Sequence, residues 1–134
     1  ELLVLRKKGN RALVYVYRKK MLEQDLKQSK ARRILRRYGY RTIGVQEALE
    51  RLANRLSIQS GFPHEIGLFL GYPPEDVEGF IQNCGRNCKC SGCWKVYCNE
   101  YEARKTFEQY AKCRRIYGQL WREGRNIQQL TVTP

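Results

Sequence analysis

The chain opens on an apolar run, turns, alternates, and then settles into the longer rhythm of helices. Leu2-Leu3-Val4-Leu5 predicts a short strand, and Lys7-Lys8-Gly9-Asn10 supplies turn residues. Arg11–Arg18 is rich in β-branched and aromatic residues and predicts a second strand. Gly9 and Asn10 tolerate positive φ, so the two strands close as a β-hairpin. Residues 19–27 begin helical structure, with Met21, Leu22 and Leu26 only partly in register. Ser29 has the chemistry of a cap for a helix to about Tyr38. Ala31, Ile34, Leu35 and Tyr38 fall at i, i+3, i+4 and i+7 there, and Gly39 is a stop. Val45, Ala48, Leu49, Leu52, Ala53 and Leu56 hold the same rhythm over three turns and predict the clearest helix of the chain.

Gly61-Phe62-Pro63 breaks the pattern, and residues 64–70 predict a short apolar helix ending at Gly71. Pro73-Pro74 opens the next helix, with Glu75 and Asp76 near its positive end and Val77, Phe80 and Ile81 as its core face. Residues 83–93 read as a loop, and Trp94-Lys95-Val96-Tyr97-Cys98 alternates as a strand with Trp94, Val96 and Cys98 on one side. Asn99 and Glu102 have the spacing of a capping box for a long final helix, stopped at Gly124. Phe107, Tyr110, Cys113, Tyr117 and Leu120 form its expected buried stripe. No internal repeat, low-complexity tract or linker interrupts the pattern. It predicts one α+β domain over 1–134: a small, mostly antiparallel sheet of about three strands, covered by several helices, with a long C-terminal helix.

With 42% hydrophobic and 29% charged residues, the chain is neither a disordered tail nor a membrane protein. No apolar run approaches the roughly 18 residues a spanning helix requires. It starts without Met and without a leader pattern, which suggests a piece of a longer protein. The net charge of +13 predicts an anionic partner. That charge is unevenly placed. Residues 1–56 carry 16 bases and 5 acids, residues 84–134 carry 10 and 4, and residues 57–83 hold no base and four acids (Glu65, Glu75, Asp76, Glu78).

The basic charge is densest on the helix after Ser29. Arg32 with Arg36, and Arg33 with Arg37, make two i,i+4 pairs; Lys27, Lys30 and Arg41 extend the stripe, and no acid lies between Asp25 and Glu47. Like charges so spaced destabilise an isolated helix by a few tenths of a kcal/mol per pair. Arginine forks match phosphate oxygens, so the face suits the backbone of RNA or DNA, ribosomal RNA included, or another polyanion. Two other readings stay open: a solvated face, or pairing with the acidic 65–78 segment of the same chain. The short helix, Gly71 and second helix have the order of a helix-turn-helix, but the second helix offers Glu75, Asp76 and Glu78 to DNA, and that reading fails on charge. Tyr15, Tyr17 and Arg18, like Trp94, Lys95 and Tyr97, interleave aromatics with bases, a pattern that core packing explains as well as base stacking.

Five cysteines crowd into residues 84–98. Cys90-x2-Cys93 has knuckle spacing, and Cys84 or Cys88 could complete a four-sulfur zinc or iron site, although a second separated pair is missing. The alternative is free thiols, with Cys98 and Cys113 in the core. His64, the only histidine, adjoins Glu65 and could act as a general base with a cysteine; otherwise it caps a helix start. No second His follows for a metalloprotease helix, and there is no phosphate-binding glycine loop or nucleophile elbow.

The run Phe62-Pro63-His64-Glu65-Ile66-Gly67-Leu68-Phe69-Leu70-Gly71-Tyr72-Pro73, then Asp76–Ile81, Gly92 and Trp94-Lys95-Val96-Tyr97, resembles the bacterial domain-of-unknown-function family 3793. Arg11–Arg18 and Tyr110-Ala111-Lys112-Cys113-Arg114 resemble it as well, so the likeness covers nearly the whole chain. It implies a cytoplasmic bacterial protein and brings no activity and no site residues. Family members are usually longer at the N-terminus, with a cysteine in that segment, and often carry aromatics near positions 88 and 93, where this chain has cysteine. The expectation is thus a non-enzymatic module that binds a polyanion through Lys27, Lys30, Arg32, Arg33, Arg36, Arg37 and Arg41, with no cofactor. A Cys/His enzyme or metal protein centred on His64 and residues 84–98 is the alternative, and a protein-interaction domain the third.

Overall fold

The computed structural model describes residues 1–41 and 44–131. Strands β1 (Leu2–Lys8) and β2 (Arg11–Val16) pair antiparallel around a turn in which Gly9 takes φ +56°. Val4 pairs with Val14, but a bulge shifts the next partners to Arg6 and Leu13. Leu5 and Tyr15 are buried against the helices, with Leu3, Leu13 and Tyr17 packed beside them, while Leu2, Val4, Val14 and Val16 face outward. The hairpin is therefore one-faced, as an antiparallel ribbon with one solvated side should be. Arg6 Nη1 donates to the Leu56 carbonyl (2.9 Å) and ties the ribbon to the longest core helix.

Helices α1 (Lys19–Lys27), α2 (Ser29–Arg37) and α3 (Val45–Ile58) supply most of the core, and α4 (Ile66–Phe69) and α5 (Pro74–Gln82) close it. Leu22, Leu26, Ala31, Ile34, Leu49, Leu52 and Leu56 are all buried to 4% exposure or less, so the predicted faces of α2 and α3 are the packed ones. Ser29 is the first residue of α2, not its cap; Gln28 precedes the helix and makes no side-chain cap bond. Gly39 stops α2 with φ +80°, a backbone state that favours glycine.

A second ribbon, β3 (Cys90–Ser91) and β4 (Lys95–Val96), pairs antiparallel and rests on α5. The fold is α+β, and among the described residues its strands are divided between two two-stranded ribbons instead of gathered in one sheet of about three. Asp76 fastens the second ribbon: it accepts from Trp94 Nε1 (2.8 Å), Tyr97 N (2.8 Å) and Cys98 N (2.9 Å). Gly79 is the contact point beneath it, because a Cβ there would enter the Tyr97 ring.

Helix α6 (Glu100–Arg122) starts where Asn99 Oδ1 accepts from Glu102 N (3.2 Å), and α7 (Ile127–Leu130) follows Gly124. Its first turns are anchored, with Ala103 buried and Phe107 edge-on to Trp94 at 4.6 Å between centroids. Beyond Phe107 the expected buried stripe is largely exposed: Tyr110, Cys113 and Tyr117 lie in solvent, as does Cys98, and Leu120 is half-buried. A 23-residue helix is about 34 Å long and outruns the short elements it leans on. No described helix is long and apolar enough to cross a membrane.

Candidate functional site

The basic stripe of α2 divides into two edges with different surroundings. On one edge Lys30 meets Glu75 (2.8 Å), Arg33 Nη2 donates to both Glu78 carboxylate oxygens (2.9 and 3.1 Å), and Arg37 reaches Glu78 at 3.6 Å. Those acids lie on α5, 45 residues away in sequence for the Lys30 and Arg33 pairs. Lys27 pairs within its own helix with Glu23 (2.7 Å). Pairing with the acidic segment is thus what three of the seven predicted contact residues do, all through α5, while Lys27 is paired inside α1. Lys30 holds the Glu75 carboxyl below the usual carboxylate range, chiefly through their hydrogen bond.

The other edge is different. Arg32, Arg36 and Arg41 line a narrow cleft with Leu26, Leu35, Tyr40 and Ala48, and Arg32 Nε is buried there without a hydrogen-bond partner among the described residues. The cleft shares Tyr40, Arg41 and Ala48 with a wider recess of about 310 Å³ whose remaining walls are Gly39, Glu47 and Arg51. Arg51 Nη2 donates to the Tyr38 carbonyl (3.0 Å), which fixes its guanidinium at the rim. Arg32, Arg36 and Arg41 thus line the cleft, and Arg41 and Arg51 line the neighbouring recess together with one acid, Glu47. Burying a guanidinium N–H without an acceptor is costly, and an oxygen acceptor, from water or from an oxyanion, would satisfy it. Sequence reasoning found Arg32, Arg36 and Arg41 but not Arg51, which lies on a different helix, outside the acid-free Lys27–Arg41 stripe.

His64 and Glu65, adjacent in sequence, part company in the fold. Glu65 is fully buried, taking Arg55 Nε on Oε1, Tyr40 Oη at 3.1 Å and Arg55 Nη2 at 3.5 Å. Arg55 is held from its other side by the Tyr38 ring, 5.0 Å from centroid to Cζ. Burial first, and then the Glu65 charge, push the Tyr40 hydroxyl well above its ordinary value. This is a structural ion pair beneath α3 and no partner for His64. His64 itself is exposed and stands edge-on to Phe80 at 5.3 Å. It lines a cavity of about 350 Å³ together with Cys93, Trp94 and Lys95, and it forms no hydrogen bond to a thiol among the described residues. The pieces of the family-like run, from Phe62 to Tyr72, from Asp76 to Phe80 and from Gly92 to Lys95, all reach this cavity. Nothing in their spacing announces that convergence.

The six cysteines are free thiols. Cys84, Cys93, Cys98 and Cys113 are exposed, while Cys88 and Cys90 are half-buried. Among the described residues no three His, Cys, Asp or Glu side chains converge as a metal-binding group, so Cys84, Cys88, Cys90 and Cys93 are not brought together as the knuckle spacing suggested. Desolvation pushes the Cys90 thiol above its ordinary value, the reverse of what an activated nucleophile needs.

Among known proteins, the family model described as "Protein of unknown function (DUF3793)" matches residues 1–131. No curated protein and no solved structure matches.

Proposed function

The chain belongs to the DUF3793 family, a membership that assigns no activity, and from the arginine cleft we propose that it binds the phosphate backbone of RNA or DNA. The observation that carries this reading is the convergence of Arg32, Arg36 and Arg41 on one cleft, with Arg32 Nε buried and unpartnered among the described residues. Arg51 adds a fourth guanidinium at the rim. The reading is narrower than a basic helix face. Lys30, Arg33 and Arg37 sit beside Glu75 and Glu78, whose charge repels a phosphate chain, so that edge contributes little. Backbone contacts of this kind position a nucleic acid without reading bases, and the protein acts as a binding module, in the cytoplasm as its family resemblance implies.

The test is a titration with a fluorescent RNA or DNA oligonucleotide across a range of salt. Binding should weaken steeply as salt rises, because each neutralised phosphate releases condensed counterions. Reversal of Arg32, Arg36 and Arg41 to Glu should abolish it, while reversal of Lys30 and Arg33 should leave most of it. Absence of salt-dependent binding, or equal loss from both edges, refutes the assignment to the cleft.

A further inference from the structure

The cavity beside His64 has the makings of a second, independent site. Its walls are mainly apolar, built from Ile66, Val77, Phe80 and the Tyr72–Trp94 stack, whose rings lie 5.0 Å apart and 27° from parallel. Its volume of about 350 Å³ stands at the small end of the range for ligand pockets, which suits a one- or two-ring body and excludes a dinucleotide.

The polar groups around it are predominantly donors. Lys95 Nζ spends one N–H on the Gly85 carbonyl (2.6 Å) and retains two. His64 stands free of hydrogen bonds among the described residues, and Ser91 offers an exposed hydroxyl. The one carboxylate at the wall, Asp76, already accepts three N–H groups, from Trp94, Tyr97 and Cys98. A ligand must therefore bring the acceptors, and beside an ammonium it is best served by bringing negative charge.

We propose that this cavity binds a small aromatic carboxylate, its ring between the apolar wall and the Trp94 stack and its carboxyl group at Lys95 and His64. The shape asks for a flat body, and the donors ask for an anion at one end. This reading stands apart from the arginine cleft, which has no aromatic stack and opens on α2 and α3.

The test uses benzoate and 2-naphthoate, each against its amide, titrated by calorimetry and by the shift of the Trp94 indole N–H resonance. The carboxylates should bind about tenfold more tightly than the amides, the order expected for one charge-assisted contact. Lys95→Met should bring the carboxylate down to the amide's affinity and leave the amide unchanged. Ile66→Trp should fill the cavity and abolish both; should that variant fail to fold, Lys95→Met alone decides. Charge reversal of Arg32 and Arg36 should change nothing. No shift of the Trp94 resonance by either carboxylate, equal binding of acid and amide, or loss of binding in the Arg32/Arg36 variant and not in Lys95→Met overturns the proposal.

Discussion

The four acids of residues 57–83 fall into two regions with opposite roles. Glu65 and Asp76 lie in the interior, at 0% and 3% exposure, and each collects fixed donors: Arg55 and Tyr40 for one, Trp94 and two backbone amides for the other. Glu75 and Glu78 lie on the same helix as Asp76, but on its solvent-facing side, where they are half-buried and meet the exposed side chains of Lys30, Arg33 and Arg37. All four are carboxylates of one acidic stretch. What differs is solvent, and with it the strength and purpose of each pair: interior acids organise the fold, whereas surface acids tune the charge of a neighbouring helix.

The widest gap between the two regions should appear on removing Glu65. Glu65→Ala leaves Arg55, only 19% exposed in its side chain, without its counter-charge and leaves the Tyr40 hydroxyl unpaired. Loss of about 3–5 kcal/mol is expected, the usual cost of breaking one side of a buried pair, measured by urea unfolding. A loss below about 1 kcal/mol would put Glu65 in the same class as the surface acids.

Asp76→Ala comes next. It strips the acceptor from Trp94 Nε1, Tyr97 N and Cys98 N, and about 2–3 kcal/mol should be lost. The damage should be concentrated in the β3–β4 ribbon, so amide exchange should speed up over residues 90–98 before it does in α3. Uniform acceleration across α2 and α3 would mean that the ribbon and the helical core unfold as one, contrary to a local fastening role.

These two acids also mark how far the sequence could be read. The faces of α2 and α3 were legible because periodicity encodes which side is apolar, and Ala31, Ile34, Leu49 and Leu52 obey it. Periodicity does not encode whether anything covers that side. The Tyr110–Tyr117 stripe of α6 has the correct spacing and remains in solvent. Composition likewise exposed an acidic gap beside a basic helix, yet only the fold separates Glu65 from His64 or sets Glu78 against Arg33. Both relations depend on contacts 10 to 45 residues apart in the chain, which no local pattern specifies. The cleft was half legible: its arginines on α2 stood out by density, and Arg51 on α3 did not.

The smallest effect should come from the surface pair, and it carries the sharpest distinction. Glu78→Gln should cost less than about 1 kcal/mol and should vanish in high salt, because Arg33 and Arg37 are more than half exposed. The same change frees both arginines, so oligonucleotide affinity at low salt should rise on the order of threefold if the phosphate chain passes along α2. The pH dependence has a definite sign. Lys30 depresses the Glu75 carboxyl, so the native state holds that group ionised at a pH where the unfolded chain has begun to protonate it. Its contribution to stability is present above the ordinary carboxylate range and disappears as pH falls through the lowered native value. Acid unfolding of the wild type and of Glu75→Gln should therefore differ slightly above the ordinary carboxylate range and converge once the pH has fallen through the lowered native value of Glu75. Salt should erase that separation, since both partners are partly open to water. A separation as large as that of Glu65→Ala, or one indifferent to salt, would show that the boundary between interior and surface acids is drawn in the wrong place.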